Sequence, residues 1–121
     1  MLVGHGFRPI AYVSWRFANV EKRAQFEAML AQSPDDVFII YALAMLDVSD
    51  GLNDSALARF ARLIELDGDY VPAWFQSGQL LARLGRSTDA RNALQQGIAV
   101  AERIGDRHAV LEMNDFLEGL L

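Results

Sequence analysis

Polar and apolar residues repeat along most of this chain with the 3.6-residue period of helices that lie on a core. From Val20 to Gln32, Ala24, Phe26, Met29 and Leu30 make an apolar stripe against Glu21, Lys22, Arg23 and Glu27. Ser33–Pro34 ends that predicted helix, because proline disfavours helical geometry in the residue before it. Asp35 then offers an N-cap. The next helix, about Asp36 to Ser49, is apolar on every side from Val37 to Leu46, and Asp50–Gly51 closes it. A third is predicted from about Ser55 to Leu66, capped by Asn53 or Asp54, with Leu57, Phe60, Ala61, Leu63 and Ile64 inward. A fourth spans about Tyr70 to Leu84 and carries Trp74, Phe75, Gly78, Leu80 and Leu81. A fifth, Asp89 to Ile104, follows a Ser87 or Thr88 cap, and a sixth, Arg107 to Leu120, follows Asp106.

These elements repeat. One fixed shift along the chain lays Asp35 on Asp69, Ile40 on Trp74, Ala44 on Gly78, Gly51 on Gly85, Ala56 on Ala90 and Phe60 on Leu94. Applied backwards, the same shift lays Phe26 on Phe60 and Leu30 on Ile64. A fixed period of about 34 residues with two helical patterns per unit marks stacked helix–turn–helix repeats. The fold class is therefore all-α, a solenoid of antiparallel helix pairs. Small residues recur where paired helices must cross: Ala44 and Gly78 in the first helices, Ala56 and Ala90 in the second. Helix axes approach to about 8–10 Å only over small side chains.

Residues 1–19 read differently. Ile10, Tyr12 and Ser14 alternate with Ala11, Val13 and Trp15, no helical period is visible, and Gly4, Gly6 and Pro9 precede them. A strand-like arm, a disordered tail and residues upstream of a start at Val20 all fit. The domain organisation is thus an N-terminal arm, residues 1–19, and a helical repeat domain, residues 20–121.

Composition narrows function more than fold. The 121 residues have room for one domain with its own core. There is no cysteine, which excludes disulfide and thiol chemistry and fits a reducing compartment. His5 and His108 lie far apart, so no zinc spacing is present and no metal or cofactor is expected. The net charge of −5 offers no basic stripe for nucleic acid. No apolar run approaches the ~20 residues that span a bilayer. A secretory signal is not evident, and a cytoplasmic location is expected.

The second unit, with Trp74, Ser77, Gly78, Leu81, Ala90, Leu94 and Gly97, resembles the tetratricopeptide repeat. The first matches the same positions with Ile40, Leu43, Ala44, Asp47, Ala56, Phe60 and Leu63; Asp47 stands where an aromatic usually packs. The resemblance covers about Val20 to Leu121. Tyr70-Val71-Pro72-Ala73-Trp74, Leu84-Gly85-Arg86 and Gly105-Asp106-Arg107-His108-Ala109 are similar to small stand-alone bacterial proteins of that family. It implies two full repeats between terminal helices, right-handed superhelical stacking, and a protein-interaction module without catalytic apparatus. It also implies that the first helix of each pair lines a concave groove. The lining positions would be Phe38, Tyr41 and Met45, then Phe75, Gln76, Gln79 and Arg83, then Met113.

Such an apolar trough, bearing methionine and aromatic residues, suits an apolar peptide or helix of another protein. The family's familiar grip on a C-terminal carboxylate by Lys, Asn and Arg is missing, because Tyr41, Met45, Gln76 and Gln79 stand at those positions. The alternative is a self-assembling unit, a homodimer formed through the same groove or through the repeat ends. The arm, or a second copy's arm, could also cover part of the trough. The remaining polar candidates read as structure. His108 lies at a helix start, Asp35–Asp36 and Asp67–Asp69 lie at helix starts and turns, and Arg59, Arg62, Arg86 and Arg91 make a scattered solvated face. No phosphate loop or Ser/His/Asp spacing is present.

Overall fold

A computed structural model describes the backbone of residues 10–120 and the side chains of residues 16–120. Six helices follow one another: α1 Ile10–Gln32, α2 Val37–Ser49, α3 Asn53–Leu66, α4 Val71–Arg83, α5 Ser87–Ile104 and α6 Arg107–Gly119. Each packs on the next, and the closest pairs are α2 with α3 and α4 with α5. Short turns force neighbours antiparallel. Three of the turns contain Gly51, Gly85 and Gly105 at φ 74°, 78° and 80°. An added Cβ would meet nothing there, so the backbone conformation, not space, selects glycine.

Two cores form in series. Phe60, Leu63, Ala44, Ala56 and Ala73 are fully buried around the first helix pair. Leu94, Ala101 and Met113 are fully buried around α5 and α6. The glycines mark the tightest approaches between helices. A Cβ on Gly78 would lie 2.8 Å from the Leu94 side chain, which explains the small residue at that crossing. A Cβ on Gly97 would lie 2.7 Å from Trp74 Cβ and 2.9 Å from Met113 Sδ, so α5 comes equally close to α4 and α6. Trp74 is fixed at its other edge by Nε1, which donates to the Gly68 carbonyl at 2.9 Å.

Three local expectations are corrected. The first helix begins at Ile10, not Val20, so Ile10–Asn19 is neither strand-like nor a loose tail. After Pro9 no glycine or proline interrupts the chain until Pro34, and the alternation of β-branched and aromatic residues does not outweigh that continuity. Residues 1–9 of the expected arm lie outside the described residues. The N-cap of α2 is Asp36, whose carboxylate accepts from Phe38 and Ile39 N–H at 2.9 and 3.2 Å, while Asp35 pairs with Arg62 at 2.7 Å. Ala24, Met29 and Ala61, expected inward, are exposed. α1 packs chiefly on α2, so only the face bearing Asn19, Arg23, Phe26 and Leu30 finds cover.

Candidate functional site

The open side of α2 follows from where its buried residues lie. Ile39, Ile40, Leu43, Ala44 and Asp47 occupy one side of the helix. Phe38, Tyr41 and Met45 recur at three- and four-residue steps on the other side. Apolar residues encircle α2, yet Phe38 is 73% exposed, and Tyr41, Met45 and Val48 are only half-buried. On α4 the equivalent side carries Phe75, Gln76 and Gln79, all half-buried, with Arg83 exposed at its end.

Aromatic contacts run along these helices. The Tyr41 ring lies 5.4 Å from Tyr70 and 6.3 Å from Phe60, both tilted. Burial raises the Tyr41 pKa, Tyr70 adds to the rise, and a hydrogen bond with Gln76 opposes it. Phe75 meets Phe116 of α6 edge-on at 6.2 Å, which joins α4 to α6. Neither Tyr70 nor Phe116 stands out in the sequence, because their partners lie on other helices.

Met113 does not line this side. It is fully buried against α5, with its sulfur beside Gly97. The register explains the correction. α4 begins one repeat after α2, at Val71 against Val37, but α6 begins at Arg107, two positions later than the same spacing would place it. α5 runs 18 residues where α3 runs 14, and the turn after α5 is shorter by two. The residue of α6 equivalent to Gln79 is therefore Asp115, with Leu111 equivalent to Phe75; both are exposed.

The most unexpected polar feature lies on the far side of α2. Asp47 is fully buried. Its Oδ1 accepts from Arg23 of α1 at 2.6 Å, and its Oδ2 accepts from Ser55 Oγ at 2.7 Å and Arg59 Nε at 2.9 Å, both on α3. Arg23 also donates to Asp50 at 3.0 Å, where Asn19 adds a bond at 3.4 Å. Burial works against the Arg23 charge, but hydrogen bonds and attraction from Asp47 and Asp50 prevail and raise its pKa. A buried carboxylate must be paired to be tolerated, and here three helices supply the partners. The signal available in sequence was an aspartate inside an apolar helix, with an arginine on the helix before it and another on the helix after it. The arrangement is structural, since its carboxylate is sealed and fully bonded.

His108 is exposed and lies 3.1 Å from Glu112, one turn on. No group of three acidic, histidine or cysteine side chains able to hold a metal occurs among the described residues. No described helix is long and apolar enough to cross a membrane.

No protein-family model matches the chain. It is 32% identical over 94 residues to the TPR repeat-containing protein PA0015 of Pseudomonas aeruginosa, covering 78% of this chain and 90% of that one. A crystal structure of a tetratricopeptide repeat domain protein from Salinibacter ruber superposes with a TM-score of 0.66 at 36% identity, covering 70% of this chain and 94% of that one. PcrH, solved in complex with the chaperone binding region of PopD, matches the fold with a TM-score of 0.76 at 15% identity, covering 98% of this chain and 96% of that one.

Proposed function

Because the chain belongs to the tetratricopeptide repeat family, we propose that it is a non-catalytic interaction module that receives an apolar peptide or helix of another protein along the open side of α2 and α4. One observation carries this reading: α2 is apolar all round, yet Phe38 is 73% exposed beside half-buried Tyr41 and Met45. A helix apolar on every side normally finds cover on every side. Covering one such side chain contributes about 1.5–3 kcal/mol. Gln76 and Gln79 add amide donors and acceptors beside the apolar row, and Arg83 closes it with a positive charge. PcrH supports the reading only at the level of fold: that protein was solved with a region of another protein bound.

From Ile10 onward the expected arm continues α1 as a helix. Asn19 already lies at the C-terminal end of α2, beside Asp50.

Selection from a displayed peptide library against the purified protein tests the proposal. Enriched peptides should share apolar residues at helical or alternating spacing. Their binding should fall at least tenfold with Phe38→Asp and with Gln79→Glu. Both positions face outward enough that the melting temperature should hold. Equal binding by wild type and both variants would contradict the groove reading.

A further inference from the structure

An apolar surface that neither the cores nor the groove accounts for lies on α1. Phe17 and Val20 are 65% and 66% exposed, and Ala24, Ala28 and Ala31 are exposed as well. At 100° per residue these five fall within a band about 80° wide. The band points away from the face of Asn19, Arg23, Phe26 and Leu30 that packs toward α2. No described neighbour within the chain covers it, because α1 packs chiefly on α2. The helix is also longer than its support. Asn19 already bonds Asp50 at the end of α2, so Ile10–Ala18 projects about 14 Å beyond it. Leu52, also exposed, borders the same depression as Arg16 and Val20, which continues the apolar surface onto the α2–α3 turn.

We propose that this face of α1 pairs antiparallel with α1 of a second copy of the chain. The band is self-complementary in the way a two-fold contact requires. Its bulky residues, Phe17 and Val20, lie toward one end, and its small ones, Ala24, Ala28 and Ala31, toward the other. Antiparallel pairing about a point between Glu21 and Lys22 sets Phe17 of one copy between Ala24 and Ala28 of the other. Small residues let the axes approach closely, and a large side chain fills the hole they leave.

Charge fixes the same register. Arg16 and Glu27 border the band on one edge, and neither forms an ion pair among the described residues. In the antiparallel arrangement that edge meets its own copy, which brings Arg16 opposite Glu27 twice. Glu21 then lies near its own copy across the axis, a like-charge cost. One helix pair also covers less than the ~800 Å² per partner of a standard interface. The association is therefore a concentration-dependent monomer–dimer equilibrium.

Sedimentation velocity across a hundredfold range of concentration reads this directly. The wild type is expected to pass from monomer to dimer. Phe17→Asp should weaken association at least tenfold with an unchanged melting curve, since Phe17 is exposed. Glu27→Arg should weaken it, and Arg16→Glu combined with Glu27→Arg should restore it. The chain has no cysteine, so single substitutions report geometry. Oxidised Glu21→Cys should cross-link, and Ala31→Cys, far from its own copy, should not. Phe38→Asp should leave the dimer intact, which separates this contact from the groove. A wild type that stays monomeric throughout would overturn the proposal. So would a dimer insensitive to Phe17→Asp, one broken only by Phe38→Asp, or cross-linking through Ala31→Cys.

Discussion

At one position of the repeat α2 holds Asp47 and α4 holds Leu81, and both are buried. The positions around them differ in step. Arg23 and Arg59, which clasp Asp47, correspond one repeat later to Leu57 and Ala93. The first unit thus holds a charged trio where the second holds an apolar one. In each unit these positions lie on three successive helices, α1, α2 and α3 in the first and α3, α4 and α5 in the second. The charged trio gives direction: Arg23 spans Asp47 and Asp50, which fixes where along α2 the long α1 sits. The apolar trio gives closeness instead, beside a unit whose Gly78 and Gly97 bring the α4, α5 and α6 axes together. The repeat specifies a geometry, and unlike chemistries meet it provided each is complete.

Breaking only one member of the charged trio should have the largest effect. Asp47→Ala strands Arg59 and leaves Arg23 with Asp50 alone, and these two side chains keep only 24% and 20% of their surface in water. The expected loss is about 3 kcal/mol, the low end of the cost of breaking a buried pair. Replacing all three together, Arg23→Leu, Asp47→Leu and Arg59→Ala, writes the second unit's solution into the first. Urea denaturation should show most of that loss recovered, since apolar replacement of a whole buried ion cluster is often neutral or stabilising. A triple variant less stable than Asp47→Ala would mean that the two trios are not equivalent.

The glycine side of the comparison breaks by overpacking. Gly78→Leu forces a branched side chain against Leu94 and should cost about 1–3 kcal/mol, visible as a sharply lower melting temperature. Gly97→Ala is the finer probe. Alanine gains about 1 kcal/mol in helix propensity, but its Cβ would press on Trp74 Cβ, which cannot swing aside. A net loss is expected, smaller than for Gly78→Leu. An unchanged melt for either would count against the close crossing.

How far this was legible from residues alone depended on range. The six helices and their pairing follow from a periodicity that each segment carries locally. The Asp47 trio does not, because its members lie on three different helices and become neighbours only through the stack. The start of α1 was hidden by an every-other-residue alternation from Ile10 to Trp15 that mimics a strand. Of the residues expected to line a groove, Phe38, Tyr41, Met45, Phe75, Gln76, Gln79 and Arg83 are half-buried or exposed on α2 and α4. Met113 does not, since the longer α5 shifts the register of the next helix by two.

The smallest expected effect lies on the surface of the second unit. Asp69 pairs with Arg103 in an exposed contact. The hydrogen bond to Arg103 holds the Asp69 carboxyl below its ordinary pKa, with burial opposing slightly and the Arg103 charge assisting. A depressed carboxylate contributes stability above its unfolded pKa, and that contribution is lost as pH falls through the folded value. Arg103→Ala should therefore leave the melt near pH 7 almost unchanged, because exposed pairs contribute little. It should slightly flatten the acid limb of the pH–stability curve. A large change at neutral pH would show that this surface pair matters as much as the buried trio.

The claim on which the functional reading rests is that a partner lies along the open side of α2 and α4. Chemical-shift mapping by NMR, with a selected peptide titrated into the isotope-labelled protein, tests it most directly. The largest perturbations should cluster at Phe38, Tyr41, Met45, Phe75, Gln79 and Arg83. Perturbations centred on Arg59, Arg62 and Arg91 of α3 and α5, with the α2 residues unmoved, would contradict it.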